Sequence, residues 1–176
     1  MNLPNKLSLL RMALIPAVVA LMIPCDPVCT RIALAVFIIA AATDFFDGYL
    51  ARKHNIVTDF GKFIDPVADK LLNLSALVML SHQGLLPAWV VVIILARELC
   101  VDGLRMVAVG QGRVIAAGKL GKIKTVSQIV TIIWLMLTLQ PITNVISCVL
   151  IIWVAVITLW SGADYLIRNK DCIKNA

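Results

Sequence analysis

Charge is scarce in this chain. Asp, Glu, Lys and Arg make up 15% of its 176 residues, against about a quarter in soluble domains. With 61% of residues apolar and a mean hydropathy of +0.95, that scarcity excludes a soluble globular domain and a disordered chain alike. Aromatic residues are few as well, at 6%, and no run of ten-residue alternating segments is present, which argues against an outer-membrane barrel. Cysteines number five, an odd count that gives no disulfide framework, and Cys100 and Cys148 fall inside apolar runs as small core residues. Internal repeats and low-complexity segments are lacking too. The formal net charge is +6, but with no soluble domain to hold a basic groove it does not point to nucleic acid.

What is present is apolar helix. A membrane-spanning helix takes about 20 residues, so the length accommodates roughly six spans with short connections. Helices are expected at 4–24, 31–53, 62–82, 87–109, 118–139 and 142–168, parted by turn signals at Pro24 to Pro27, His54 to Gly61, Gly84 to Pro87, Gly110 to Gly118 and Pro141. The expectation is an all-α polytopic membrane protein forming one integral-membrane domain over 1–176. His54 and His82 read as solvated loop residues. The first helix reads as structural rather than as a cleaved signal, because Arg11 interrupts the apolar run that a signal needs.

Orientation follows from the basic residues. The loops Cys25–Thr30, Ser81–Leu86 and Gln140–Asn144 contain no lysine or arginine. The other side collects Lys6, Arg11, Arg52, Lys53, Lys62, Arg105, Arg113, Lys119, Lys122, Lys124, Arg168, Lys170 and Lys174. By the positive-inside rule both termini are cytoplasmic, as an even number of spans requires.

Against this background the acids are anomalous. Asp44, Asp47, Asp65 and Asp69 sit in or beside the cytoplasmic ends of the second and third helices, and a charge in hydrocarbon costs from about 3 to well over 10 kcal/mol. At about 100° per residue, Asp44, Asp47, Gly48, Ala51 and Arg52 share an arc of roughly 140°. Gly61, Asp65 and Asp69 recur every fourth residue on one stripe. Four converging carboxylates with Arg52 as the one basic partner would repel one another, and a bound divalent cation is the simplest balance. Oxygen-only ligands favour Mg²⁺, Mn²⁺ or Ca²⁺ over zinc or copper. Gly48, Ala51 and Gly61 leave room for a phosphate or nucleotide to approach the backbone, and Arg52 suits bidentate phosphate binding.

These residues spell Asp-x2-Asp-Gly-x2-Ala-Arg-x8-Gly-x3-Asp-x3-Asp, with all eight specified positions filled. The pattern resembles the signature of the CDP-alcohol phosphotransferase family. Flanking stretches are similar to bacterial members of that family that use sn-glycerol 3-phosphate. They are Asn2-Leu3-Pro4 with Leu7, Ser8, Arg11 and Pro16; Ala96-Arg97-Glu98 with Gly103-Leu104-Arg105; and Gly121-Lys122-Ile123-Lys124-Thr125 with Gln128. Ser8 departs from the threonine usual there but keeps the hydroxyl. The resemblance implies six transmembrane helices, a homodimer and a two-metal site (Mg²⁺ or Mn²⁺) at the cytoplasmic boundary of the cell membrane. It implies Asp44, Asp47 and Asp65 as metal ligands and Asp69 as general base and possible further ligand. Gly48, Ala51, Arg52 and Gly61 would line the CDP site. The substrates implied are CDP-diacylglycerol and sn-glycerol 3-phosphate.

An acceptor carrying its own phosphate calls for basic residues near the metal site. Helix four places Arg97, Glu98, Asp102 and Arg105 within about 140° of arc, helix five opens with Lys119, Lys122 and Lys124, and helix one carries Arg11. The expected phosphate contacts are Arg105 and Lys122, then Arg11, Arg97 and Lys124; Lys119 and Arg113 are equally placed to face lipid headgroups. The signature alone leaves other acceptors open: phosphatidylglycerol, an inositol phosphate or serine. A small cation transporter is the rival from another class, but it predicts acids at mid-membrane and a repeated half. Asn73-Leu74-Ser75 matches a glycosylation triplet and is set aside because it lies in a helix.

Overall fold

The computed structural model describes the backbone of residues 3–54, 59–112, 115 and 118–170, and the side chains of these apart from 3–7, 44–54, 59–63 and 65. The described residues form six helices: α1 (Leu3–Met22), α2 (Pro27–His54), α3 (Asp59–His82), α4 (Ala88–Gly110), α5 (Lys119–Thr138) and α6 (Val145–Arg168). Among the described residues there is no strand. The α5 and α6 helices are each long and apolar enough to cross a membrane, and the apolar parts of α1 and α2, Ser8–Met22 and Pro27–Thr43, are shorter. The chain divides into two compact units, one of Met1–Gln83 with Met136–Leu139 and one of Gly84–Leu135 with Gln140–Ala176.

In the first unit α1 packs on both α2 and α3, which also meet each other. The buried positions of α1 are Ser8, Arg11, Ile15, Val18 and Met22, steps of three and four that trace one helix face. Thr30, Ala33, Leu34, Phe37 and Ala40 do the same on α2, and Ala68, Leu72, Ala76 and Leu80 on α3. Gln83 ties three ends together: its Nε2 donates to the Met22 carbonyl and to Thr30 Oγ1, both at 2.9 Å. The ends of α1 and α3 therefore meet the start of α2. It follows that α2 runs antiparallel to both, and that its far end lies with the starts of α1 and α3.

The second helix begins at Pro27, four residues earlier than expected. Proline is at home in the first helical turn, where its missing N–H has no partner to lose. Asp26 supplies the cap, its Oδ2 accepting from the Val28 and Cys29 backbone N–H groups at 2.9 Å each. Asn144 caps α6 through Oδ1, accepting from Ile146 N at 3.0 Å and Ser147 N at 3.4 Å, so that helix starts three residues later than expected. His54 and His82 are not loop residues; they close α2 and α3. Gly84, at φ +73°, takes the left-handed conformation just past α3.

In the second unit α4 packs against α6. Val101, Leu104 and Ala108 of α4 form a buried cluster with Tyr165 of α6, and Ile115 packs on it. The opposite side of α6 exposes Val149, Ile152, Trp153, Val156, Leu159 and Trp160, as expected of a helix facing lipid.

Candidate active site

Asp44, Asp47, Gly48, Ala51 and Arg52 all lie on unbroken helix at the far end of α2. Gly61, Asp65 and Asp69 lie on the first turns of α3, so the antiparallel arrangement brings both halves of the signature to one end of the first unit. The side chains of Asp44, Asp47, Ala51, Arg52 and Asp65, and the surroundings of Gly48 and Gly61, fall outside what the structure describes. Asp69 is described: it is half-buried, and Asn73, one turn on, donates Nδ2 to its Oδ1 at 3.2 Å and to its carbonyl at 2.9 Å. Among the described residues no three potential ligands cluster.

Arg11 belongs to this end as well. It is 1% exposed, and its Nε donates to the Ala40 carbonyl of α2 at 3.2 Å. Thr43 Oγ1 donates to the same carbonyl at 2.7 Å. Ala40 precedes Asp44 by one turn, so a buried cation is fixed on the approach to the acidic segment.

The other expected phosphate contacts lie in the second unit. Glu98, buried on α4, accepts from Lys124 Nζ on α5 and from Arg97 Nη1, the latter at 3.0 Å. One carboxylate thus holds two cations, a link that sequence spacing did not reveal because it joins residues 26 positions apart. The Arg97 side chain runs past two glycines. A Cβ on Gly162 would stand 3.1 Å from Arg97 Cγ, and one on Gly121 would stand 3.5 Å from Arg97 Nη2. Arg97 Nε is buried with no partner among the described residues. Arg105 donates Nε to Tyr165 Oη at 3.2 Å and lies 5.7 Å from the ring centre, a cation–π distance. Lys122 is exposed near the start of α5 and Lys119 opens it; Arg113 falls outside the described residues.

Comparison with known proteins gives the class first. Residues 1–160 match the family model described as CDP-alcohol phosphatidyltransferase, and the chain belongs to that family of phosphotransferases. More particular likenesses follow. The chain is 45% identical, over 99% of its length and 98% of the relative's, to the CDP-diacylglycerol–glycerol-3-phosphate 3-phosphatidyltransferase of Bacillus subtilis. It is 41% identical to a probable phosphatidylglycerophosphate synthase of Mycobacterium tuberculosis, over 95% of this chain and 81% of that one. It is 37% identical to the Rickettsia bellii protein named like the first, over 98% and 96% of the two chains. Membership in an enzyme family leaves the transporter reading without support.

The family generally uses divalent metal ions. The residues present fit such ions: four aspartates offer oxygen donors alone, and the backbone brings their two helix segments to one end of one unit.

Proposed function

We propose that this chain transfers the phosphatidyl group of CDP-diacylglycerol to sn-glycerol 3-phosphate, releasing CMP. The observation that carries the reading is the complete eight-position signature on α2 and α3, in a chain 45% identical to a relative bearing that activity's name. The acceptor hydroxyl oxygen bonds to the lipid-side phosphorus, and the bond from that phosphorus to the CMP oxygen breaks. CMP leaves with the electron pair.

In this reading Asp44, Asp47 and Asp65, with Asp69 as a further ligand, hold two Mg²⁺ or Mn²⁺ ions. Such ions stabilise negative charge on attacking and leaving oxygens. Asp69 takes the hydroxyl proton. Gly48, Ala51 and Gly61 leave space for the CDP group and Arg52 binds its phosphates. Arg105, Lys122, Arg11, Arg97 and Lys124 bind the phosphate of the acceptor, with Glu98 holding Arg97 and Lys124 in place. Support for the basic set is that Arg11, Arg97 and Lys124 are buried or nearly so in an apolar chain, where cations are rare and mark substrate pathways. The enzyme is a homodimer of six-span subunits in the cell membrane, with both termini and the active site on the cytoplasmic side. Lysine- and arginine-free connections on the opposite side support that orientation.

The test is CMP release by the purified protein in detergent, with CDP-diacylglycerol, Mg²⁺ and each candidate acceptor in turn. Release that requires glycerol 3-phosphate and is abolished by EDTA is expected. Release with serine, an inositol phosphate or phosphatidylglycerol instead would overturn the acceptor assignment and leave the phosphotransfer chemistry standing.

A further inference from the structure

Asn73 is only 7% exposed, and the other buried positions of α3 among the described residues are all apolar. The direction of its amide is settled by its neighbours. Turned the other way, Oδ1 would face the carbonyl and carboxylate oxygens of Asp69, acceptors both. As placed, Nδ2 donates to both oxygens, at 2.9 and 3.2 Å, and Oδ1 is left buried with no partner among the described residues. A buried orphan acceptor is unfavourable, and a leucine of similar shape would avoid it. The bond to the Asp69 carbonyl does not account for asparagine either, because a serine one turn on makes the same bond. What asparagine alone provides is the reach to the carboxylate.

We propose that Asn73 is a positioning residue for the transfer reaction, its amide holding the Asp69 carboxylate in one orientation toward the acceptor hydroxyl. The proposal rests on the reading of Asp69 as general base. The carboxylate of an aspartate turns freely about its last torsion, and proton transfer requires an oxygen within hydrogen-bond reach of the hydroxyl. Pinning Oδ1 fixes the plane of the group and with it the direction of Oδ2.

The experiment compares Asn73→Leu, Asn73→Ser and Asp69→Asn in the full-length protein in detergent, with CDP-diacylglycerol, glycerol 3-phosphate and Mg²⁺. Serine keeps the bond to the Asp69 carbonyl but is too short to reach the carboxylate. Both Asn73 variants are expected to lose about ten- to a hundredfold in kcat, up to what a 1 Å misplacement of a reacting group costs, with KM for either substrate within about twofold of the parent. The serine variant is expected to melt like the parent. A parental kcat in Asn73→Ser would show that only the carbonyl bond matters and would overturn the proposal, as would a change confined to KM. Parental turnover in Asp69→Asn would instead remove the base assignment, and the proposal with it. Loss of turnover in Asp69→Asn beside a parental Asn73→Ser would remove the proposal alone.

Discussion

Arg11 of α1 and Ala40 of α2 are joined by a 3.2 Å hydrogen bond from the guanidinium Nε to the backbone carbonyl, with the arginine 1% exposed. A carbonyl already engaged by its own helix accepts this extra donor and a third from Thr43. The contact fixes α1 against the turn that precedes Asp44.

Replacing Arg11 by methionine keeps an unbranched apolar stem out to the Nε position and deletes the guanidinium donors. The expected cost is about 1.5–3 kcal/mol of stability, the range for hydrogen bonds made by charged groups, together with lost turnover. Lysine in its place recovers little, since its ammonium presents no donor at the Nε position. Thermal melting in detergent checks the first point, and unchanged melting of both variants would show that the contact is dispensable.

A second prediction concerns the carboxylate between two cations. Glu98→Gln removes the charge of the one carboxylate that Arg97 and Lys124 share. Breaking a buried ion pair by removing one partner typically costs about 3–5 kcal/mol. Combining it with Lys124→Met removes one of the two cations that carboxylate served, so the double variant is expected to melt above Glu98→Gln alone. In whatever Glu98→Gln protein folds, KM for glycerol 3-phosphate rises while KM for CDP-diacylglycerol does not. A double variant that melts no higher than the single one would refute the pairing.

The glycines beside Arg97 give a contrast between two otherwise identical substitutions. A methyl at Gly121 would stand 3.5 Å from Arg97 Nη2, an ordinary contact, and alanine in a helix is favoured over glycine by about 1 kcal/mol. Gly121→Ala is therefore neutral to stabilising. A methyl at Gly162 would stand 3.1 Å from Arg97 Cγ, near the root of a side chain whose tip is held by Glu98. The arginine has little room to yield, so in Gly162→Ala the clash outweighs the helix gain, lowering the melting temperature and raising KM for glycerol 3-phosphate. Equal behaviour of the two variants would show that Arg97 is not held as described.

How far the sequence carried these conclusions differs from residue to residue. Asp44, Asp47, Asp65 and Asp69 were legible because helical spacing is local: four residues make about one turn wherever the helix sits. Pro27 misled the boundary because proline both breaks helices and opens them, and only the Asp26 cap decides between the two. The roles of Glu98 and Asn73 were not legible. Glu98 meets Lys124 only once α4 and α5 come together, and the spacing of Asn73 from Asp69 puts them on one face of α3 without saying which oxygens its amide takes. Arg11 was expected at a phosphate, and its contact with Ala40 depends on how α1 lies on α2.

Asp26 supplies a pH-dependent prediction at the end of the first unit away from the signature. The Cys29 backbone N–H, chiefly, holds its carboxylate below its ordinary 3.8; burial opposes this, and bonds from the Cys29 side chain and the Val28 N–H reinforce it. A carboxylate whose pKa is lower folded than unfolded stabilises the fold above the unfolded value, and that contribution disappears as pH falls through the folded one. The cap on α2 therefore weakens on acidification below about pH 4. Asparagine in its place keeps a side-chain oxygen for the same N–H groups and has nothing to titrate, and it caps as well as aspartate does. The Asp26→Asn variant is expected to melt close to the parent near neutral pH and to lose less on acidification, with the gap opening as the pH drops. The other carboxylates titrate in both proteins, so the difference between the two melting curves isolates Asp26. Curves that stay parallel through the acid range would mean that the charge of Asp26 contributes nothing to the cap.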